Sequence, residues 1–543
     1  MGTYLNPGNR GFSEICLSDY IDKTMLISLI NRTIGTKKKL TCISRPRRFG
    51  KSYAAQMLCA YYDKSCDSHA LFSGYKIAQE ESYERHLNQY IVVNLDITDF
   101  ISEAKREGVP LKEVPARIAL GVQKEAEALY PQVKTNCSPS DSLIDLVEKT
   151  QTRIIFIIDE WDSLIREAGK DKETQERYLN LLRGWFKNNN FTPYVVAAAY
   201  MTGILPIKKD GSQSAISDFE EYTMLEPQGF APYFGFTESE VQEICSRTGR
   251  SFSGMKKWYD GYTVGEQHSI YNPYSVMHAA QSGKYRSYWK KTSAAETLMT
   301  YIDMDQEGLQ DEIARLISGE SIVVDTDSFQ NDVETFTCKE DVLTLLIHLG
   351  YLTYEEVRDT YEDETDEDDE TMSGLARIPN AEVRSEFQKI LRKAVHKDLV
   401  SLVSRSDRLL KDTIAGREEE VAKALQEIHD SEYAPTFYNN EQSLRYVVKM
   451  AYLSCVDQYA KIEELPSGHG IADVVFLPKR RSPLPAMIIE LKWNRSAEGA
   501  LLQIRDKAYP MLLRQFEGEI ILVGVNYDAD TKIHSCRIEK QQK

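Results

Sequence analysis

At 543 residues the chain is longer than one compact core can hold, and at about 100–200 residues per domain it requires about three. Its 42% hydrophobic and 27% charged residues exclude collagenous, repetitive and wholly disordered classes. The net charge of −17 would oppose nucleic-acid binding if evenly spread, but residues 431–543 hold 15 Lys+Arg against 14 Asp+Glu, so the excess acid lies upstream.

No apolar run approaches the roughly 20 residues that a membrane helix needs. The N-terminus lacks the basic-then-apolar pattern of a secretory signal, and Asn6 breaks the myristoylation pattern that Met-Gly would open. Nine scattered cysteines with no CxxC pair fit free thiols in a reducing compartment. A cytoplasmic protein without membrane contact is expected.

In chain order, Leu40 to Ser44 is strand-like and leads through a basic turn into a helix from about Ser52 to Tyr62. Ile91 to Leu95 is a second strand; a helix at Ser142 to Lys149 precedes a third, Arg153 to Ile158. Residues 174–188 read as a helix and Tyr194 to Met201 as a fourth strand. Strands alternating with helices predict βαβ units and a helix-flanked parallel sheet. After about residue 230 no comparable strand follows until Ala472. Asp341 to Gly350 is an apolar helix, trailed by Tyr351–Tyr354, the acidic run Glu362 to Glu370, and Leu375–Pro379. That order resembles a winged-helix module whose wing tip is the acidic run, a solvated loop by its charge. Residues 381–430 are helical in pattern; from Tyr438 a helix and strands at Ala472–Leu477, Ala486–Trp493 and Glu519–Val525 suggest a further α/β core. Boundaries are expected near 1–230, 231–430 and 431–543.

Arg45-Pro-Arg-Arg-Phe-Gly-Lys-Ser52 stands where a phosphate-binding loop belongs, between strand and helix. Gly50, Lys51 and Ser52 fit GxxxxGK[ST], while Arg45 replaces the first glycine. Gly50 lets the backbone approach phosphates, Lys51 would neutralise the β- and γ-phosphates of ATP, and Ser52 would ligate Mg²⁺. The apolar strand ending in Asp159 and Glu160 supplies the partner motif: Asp159 serves the metal and Glu160 the base that polarises water. Acids are also common at helix starts, but both motifs at strand ends in one α/β pattern favour nucleotide binding. Thr202, ending the fourth strand, is either a sensor of the γ-phosphate or an ordinary turn residue.

RPRRFGKS, IIFIIDEWD, MTGI, KKWYDGY (Lys256 to Tyr262), YNPYSV (Tyr271 to Val276) and IPNAEVR (Ile378 to Arg384) occur in that order. Together with Tyr20-Ile-Asp-Lys-Thr24 they resemble the AAA-ATPase-like family of bacterial and archaeal proteins with a C-terminal PD-(D/E)XK nuclease-superfamily domain. The resemblance implies a P-loop ATPase sheet, a helical and winged-helix-like middle, and a restriction-endonuclease-like α/β domain. It also makes RPRRFGKS an ordinary phosphate loop, so that Arg45 is no defect.

The C-terminal residues carry their own chemistry. Asp473 lies at the start of one strand, and Glu490 and Lys492, two apart, share one face of the next. An Asp on one strand and Glu-x-Lys on its neighbour is the PD-(D/E)XK arrangement, in which Asp473 and Glu490 would ligate Mg²⁺ and Lys492 would stabilise the hydroxide or the pentavalent phosphate. The superfamily resemblance adds Gln503 on the following helix and Glu441 on the preceding one. The Arg often found before the Asp in relatives is absent; His469, nearby, is either a phosphate contact or a loop histidine without a role. The expected function is an ATPase controlling metal-dependent cleavage of DNA or RNA. The alternative is an ATP-driven switch whose nuclease-like domain binds nucleic acid without cutting. A homo-oligomer is expected by analogy with other P-loop ATPases.

Overall fold

The computed structural model describes residues 2–134, 137–207, 216–289, 309–327, 338–356, 373–391, 397–432, 459–467, 470–478, 484–506 and 518–541, with isolated positions and pairs between them. Contacts divide the chain into two compact units, Met1–Thr292 with Ile322–Ser385, and Ser293–Ser321 with Glu386–Lys543.

In the first unit β1 (Leu40–Ser44), β2 (Ile91–Asp96), β3 (Ile154–Asp159), β4 (Val196–Gly203) and β5 (Glu220–Tyr222) form a parallel sheet in the order β2-β3-β4-β1-β5. Its helices include α1 (Lys51–Tyr62), α2 (Ile97–Glu107), α3 (Val114–Leu129), α4 (Pro139–Thr150), α5 (Ser163–Ala168) and α6 (Lys172–Phe186). Every residue of β3 and β4 is buried, as unbroken apolar runs require of strands covered on both faces. Ile154, Phe156 and Ile158 pack with residues of α2, α3, α4 and α6, while α1 lies against β2, β3 and β4. Helix starts follow side-chain chemistry: Ser138 caps α4 and Asp171 caps α6 by accepting backbone N–H bonds. The fourth strand begins two residues later than its apolar run suggests. Pro193 at the start of Thr192–Val195 fixes a helical φ there, and extension begins only at Val196.

Beyond the sheet come α7 (Glu238–Thr248), α8 (Phe252–Tyr259), the hairpin β6 (Tyr262–Val264) and β7 (Gln267–Ile270), and α9 (Pro273–Ser282). They are followed by β8 (Ile322–Asp325), α10 (Lys339–His348), β9 (Thr353–Glu356) and β10 (Ser373–Arg377). The last three strands make an antiparallel sheet ordered β8-β10-β9, so a third strand joins the expected helix and two strands. The acidic run 362–370 falls between β9 and β10 and lies outside the described residues. Three motifs meet in this region. Gly261, at φ 117°, leaves room for the Pro379 carbonyl, and Glu382 Oε1 accepts from Ser275 Oγ (2.9 Å) and Tyr288 N (2.6 Å).

The second unit contains α11 (Lys397–Ala415), α12 (Glu418–Glu432), and β11 (Tyr459–Ser467), β12 (Gly470–Pro478), β13 (Ala486–Trp493), β14 (Ile520–Asp528) and β15 (Ile533–Gln541). These strands form one mixed sheet in sequence order, with β13 and β14 parallel and the other pairs antiparallel. Between β13 and β14 the chain forms α13 (Ala497–Asp506), whose Ala500, Leu501 and Ile504 are buried; Leu501 and Ile504 join the core with Val475, Ile488 and Leu522. β11 and β15 add an edge strand on either side of the three that the apolar runs mark. Most of the helix expected from Tyr438 lies outside the described residues.

Candidate functional site

The turn after β1 wraps the start of α1. Gly50 sits at φ 93°, a conformation that costs any residue with a Cβ, and the helix begins at Lys51. Arg45 does not enter the cavity beyond the turn. Its side chain is fully buried beneath it, with Nη1 donating to Ser44 O and Tyr222 O at 2.8 Å each and the guanidinium 5.5 Å from the Phe234 ring. Burial pushes its pKa down to about 9, which leaves it a cation at neutral pH. An arginine therefore stands where a glycine is usual in a phosphate-binding loop, with its side chain kept out of the cavity.

Lys51 is buried, and its ammonium donates to Arg45 O and Pro46 O at 3.1 Å each. It also lies 3.5 Å from Glu160 Oε1. Glu160 follows β3 at φ 51°, a left-handed conformation uncommon for a residue with a side chain. Asp159 Oδ1 accepts from Glu160 N (3.1 Å) and, through a very short bond, from the Thr202 hydroxyl. Thr202 is fully buried, and its hydroxyl is committed to Asp159. Because β4 lies between β1 and β3, it brings Thr202 beside the acid strand.

A cavity of about 880 Å³ opens over these strand ends. Gly50, Lys51, Ser52 and Glu160 line it, together with the apolar Ile21, Met57, Phe236 and Met277. Its size and mixed lining suit a nucleotide-sized ligand. Ser52 is exposed there at the first turn of α1, where unpaired N–H groups favour an anion. Two lining residues escaped the sequence reading. Asp96 ends β2 in register with Asp159 and caps α2 by accepting from Thr98 N at 2.8 Å; burial pushes its pKa up. Arg166, on α5, donates to Glu160 Oε2 at 3.0 Å and to Asp162 Oδ2 at 2.9 Å. A strand ending in Asp and an Arg four residues past the second Asp of DEWD were the available signals.

In the second unit β12 and β13 pair antiparallel with Val474 opposite Ile489. Val474 and Ile489 are the chain neighbours of Asp473 and Glu490, so the two acids belong to adjacent strands. Asp473 is described at the backbone only; it stands three residues into β12, whose start lies two residues earlier than the apolar run marks. Glu490 and Lys492 are both buried, on the face shared with Ala486 and Ile488, and Lys492 Nζ lies 3.3 Å from Glu490 Oε1. Burying two charges on a core face is costly unless they are paired, so this pair is built in. Gly524 lies opposite Glu490 on β14, and its missing side chain lets the α13 backbone at Ala497 and the Ala500 side chain approach closely. That contact seats α13, with the half-buried Gln503, over the strand beside Glu490. Glu441 and His469 lie outside the described residues. Among the described side chains no three ligating groups gather as a metal site.

Residues 8–212 match the family model described as Predicted AAA-ATPase, a span from before β1 to past Thr202. Residues 439–536 match the model of the PD-(D/E)XK nuclease superfamily, which includes Asp473, Glu490, Lys492 and Gln503. The chain joins an AAA-ATPase-like domain to a PD-(D/E)XK nuclease-superfamily domain. The uncharacterized protein in the vnfD 5′ region of Azotobacter chroococcum mcd 1 is 22% identical over 540 residues, covering 97% of this chain and 96% of its own. Its match runs through both the ATPase-like and the nuclease-superfamily domains. Among solved structures, the replication initiator DnaA bound to AMPPCP and single-stranded DNA aligns at 9% identity and TM-score 0.25, over 63% of this chain and 81% of that one. The Aeropyrum pernix ORC1 protein in complex with DNA aligns at 11% identity and TM-score 0.25, over 74% and 99%. Scores of that size carry nothing over to this chain. No described helix is long and apolar enough to cross a membrane.

Proposed function

We propose that the chain is an ATPase that controls a metal-dependent nuclease acting on DNA or RNA. The observation that carries this reading is that each domain pairs a buried lysine with a carboxylate, Lys51 with the cavity-lining Glu160 and Lys492 with the buried Glu490, at the positions expected for phosphate chemistry. Exposed ion pairs on solvated faces would have argued for neither.

In the ATPase-like domain Lys51 binds the β- and γ-phosphates of ATP, Gly50 admits them, and Glu160 takes the proton of the attacking water. Thr202 holds Asp159 in place. In the nuclease-superfamily domain Lys492 stabilises the charge on the attacked phosphate, while Gln503 and Glu441 support the site from the flanking helices. Ser52 and Asp159 fit Mg²⁺ at the first site, and Asp473 and Glu490 at the second, since both sets offer the oxygen donors that this ion prefers. When bound, the ion neutralises phosphate charge and makes water a stronger nucleophile. The eight cysteines described are all free thiols, which supports a reducing compartment such as the cytoplasm.

The test is incubation of the purified chain with labelled DNA and RNA and Mg²⁺ or Mn²⁺. Wild type should cut at least one substrate and Glu490→Ala none. Binding of nucleic acid without cutting under every condition would favour the regulatory switch.

A further inference from the structure

The DEWD motif contains a second aspartate that the ATPase reading leaves without a task. Asp162 is buried, and its Oδ2 accepts from Ile204 N (3.3 Å) and Leu205 N (3.2 Å), the backbone just past β4. The same oxygen accepts from Arg166 Nε at 2.9 Å. The other arm of that guanidinium, Nη2, reaches Glu160 Oε2 at 3.0 Å. Glu160 thus has one oxygen on Arg166 and the other 3.5 Å from Lys51. All three side chains line the same cavity.

The two cations hold Glu160 differently. Lys51 is a mobile point charge whose better partner, once ATP enters, is the phosphate chain. Arg166 is a planar fork tied to the backbone past β4 through Asp162, and it has no reason to let go. We propose that Arg166 is a positioning residue: it fixes Glu160 through Oε2, so that ATP, by drawing Lys51 away, frees Oε1 to face water at the γ-phosphate. Without Arg166 the carboxylate, once Lys51 turns to the phosphates, would swing freely on its long side chain. The competing explanation is a plain i,i+4 ion pair between Arg166 and Asp162 that does no more than hold α5.

This inference rests on the ATPase reading, and the experiment separates the two. ATP affinity by calorimetry, kcat, KM and melting temperature are measured for wild type, Arg166→Ala, Arg166→Lys, Glu160→Gln and the double variant Glu160→Gln/Arg166→Ala. Arg166→Ala should lower kcat about 10- to 100-fold, with KM and ATP affinity within about threefold of wild type. Arg166→Lys should recover part of the loss, and the double variant should be no slower than Glu160→Gln alone. Should Arg166→Ala fail to fold, Arg166→Lys carries the test, because one ammonium cannot span both carboxylates and kcat should still fall. Wild-type kcat in either single Arg166 variant, or losses that multiply in the double variant, would overturn the proposal. A wild type that binds ATP and never hydrolyses it would overturn the ATPase reading instead, and this inference with it.

Discussion

Lys51 is the most informative single residue in the ATPase-like domain. Its ammonium already sits among loop carbonyls, with no other lysine in the turn, so Lys51→Ala should weaken ATP binding at least about tenfold, or ~1.4 kcal/mol. Calorimetric titration checks this, and equal affinity in mutant and wild type would place the phosphates elsewhere. Glu160→Gln separates binding from turnover: it should hold ATP yet hydrolyse it about a hundredfold more slowly or worse. Wild-type turnover in that variant would assign the base to another group, Asp96 first. The grouping of Lys51, Asp159 and Glu160 was legible because it depends on spacing within one turn or one strand end. Asp96 and Arg166 were not legible, because what they touch is decided by which strands become neighbours. Arg45 was half legible. Its departure from the glycine pattern was plain, but burial beneath the loop against Phe234 is a tertiary fact.

The phosphate loop is braced from behind by elements outside the parallel sheet. Phe49 meets Tyr262 edge-on at 5.2 Å, and the Tyr262 hydroxyl donates to Gly350 O at 2.8 Å. Arg48 Nη1 donates to Tyr288 O at 2.9 Å. Gly350 itself, just past α10 at φ 81°, lies so close to the loop that a Cβ would come 2.7 Å from Pro46 Cβ. Gly350→Ala should therefore lower the melting temperature and weaken ATP binding together. Gly249→Ala, also at positive φ but with open space around it, should show only a backbone cost of about 1–2 kcal/mol and unchanged ATP affinity. If Gly350→Ala leaves ATP affinity untouched, the bracing has no bearing on the site. Shortening the acidic run 362–370, which has no apolar residue to anchor it, should leave both ATPase and cleavage rates intact; a large loss of either would give the run a part in the mechanism. Strands β3 and β4 were legible because burial on both faces demands long apolar runs, and β1 and β2 because their apolar residues alternate with helices in the same pattern. β11 and β15 were not, because they are the edges of their sheet and carry the charges edge strands need. In β15 the alternation is present, but its first inward residues are His534 and Cys536 rather than aliphatics.

At the scale of the whole molecule, each unit hides a histidine that must stay neutral. Burial, with the nearby Arg45 cation, pushes His348 down to about 3; burial, with His429 beside it, does the same to His534. In the unfolded chain both titrate near 6.5, so between about pH 6.5 and 3 the unfolded state binds the extra protons. Their contribution to stability is complete above pH 6.5 and is lost progressively as pH falls toward 3. Calorimetric melting at pH 7.5 and pH 5.0 should show a lower transition at pH 5.0, and His348→Gln should narrow that difference. An unchanged difference would mean that other groups govern acid sensitivity.

The central claim is that two separate sites in one chain are functionally linked. It is tested most directly by running ATP hydrolysis and Mg²⁺-dependent cleavage of labelled DNA and RNA side by side, with ATP present and absent, on wild type, Lys51→Ala, Asp473→Ala and Lys492→Ala. Asp473→Ala and Lys492→Ala should abolish cleavage while ATP binding stays at the wild-type level, because Lys51 and Asp159 belong to the other domain. Lys51→Ala should lose ATP binding and, with it, whatever response of cleavage to ATP the wild type shows. Cleavage that survives both Asp473→Ala and Lys492→Ala, or that ignores ATP in the wild type, would contradict the account.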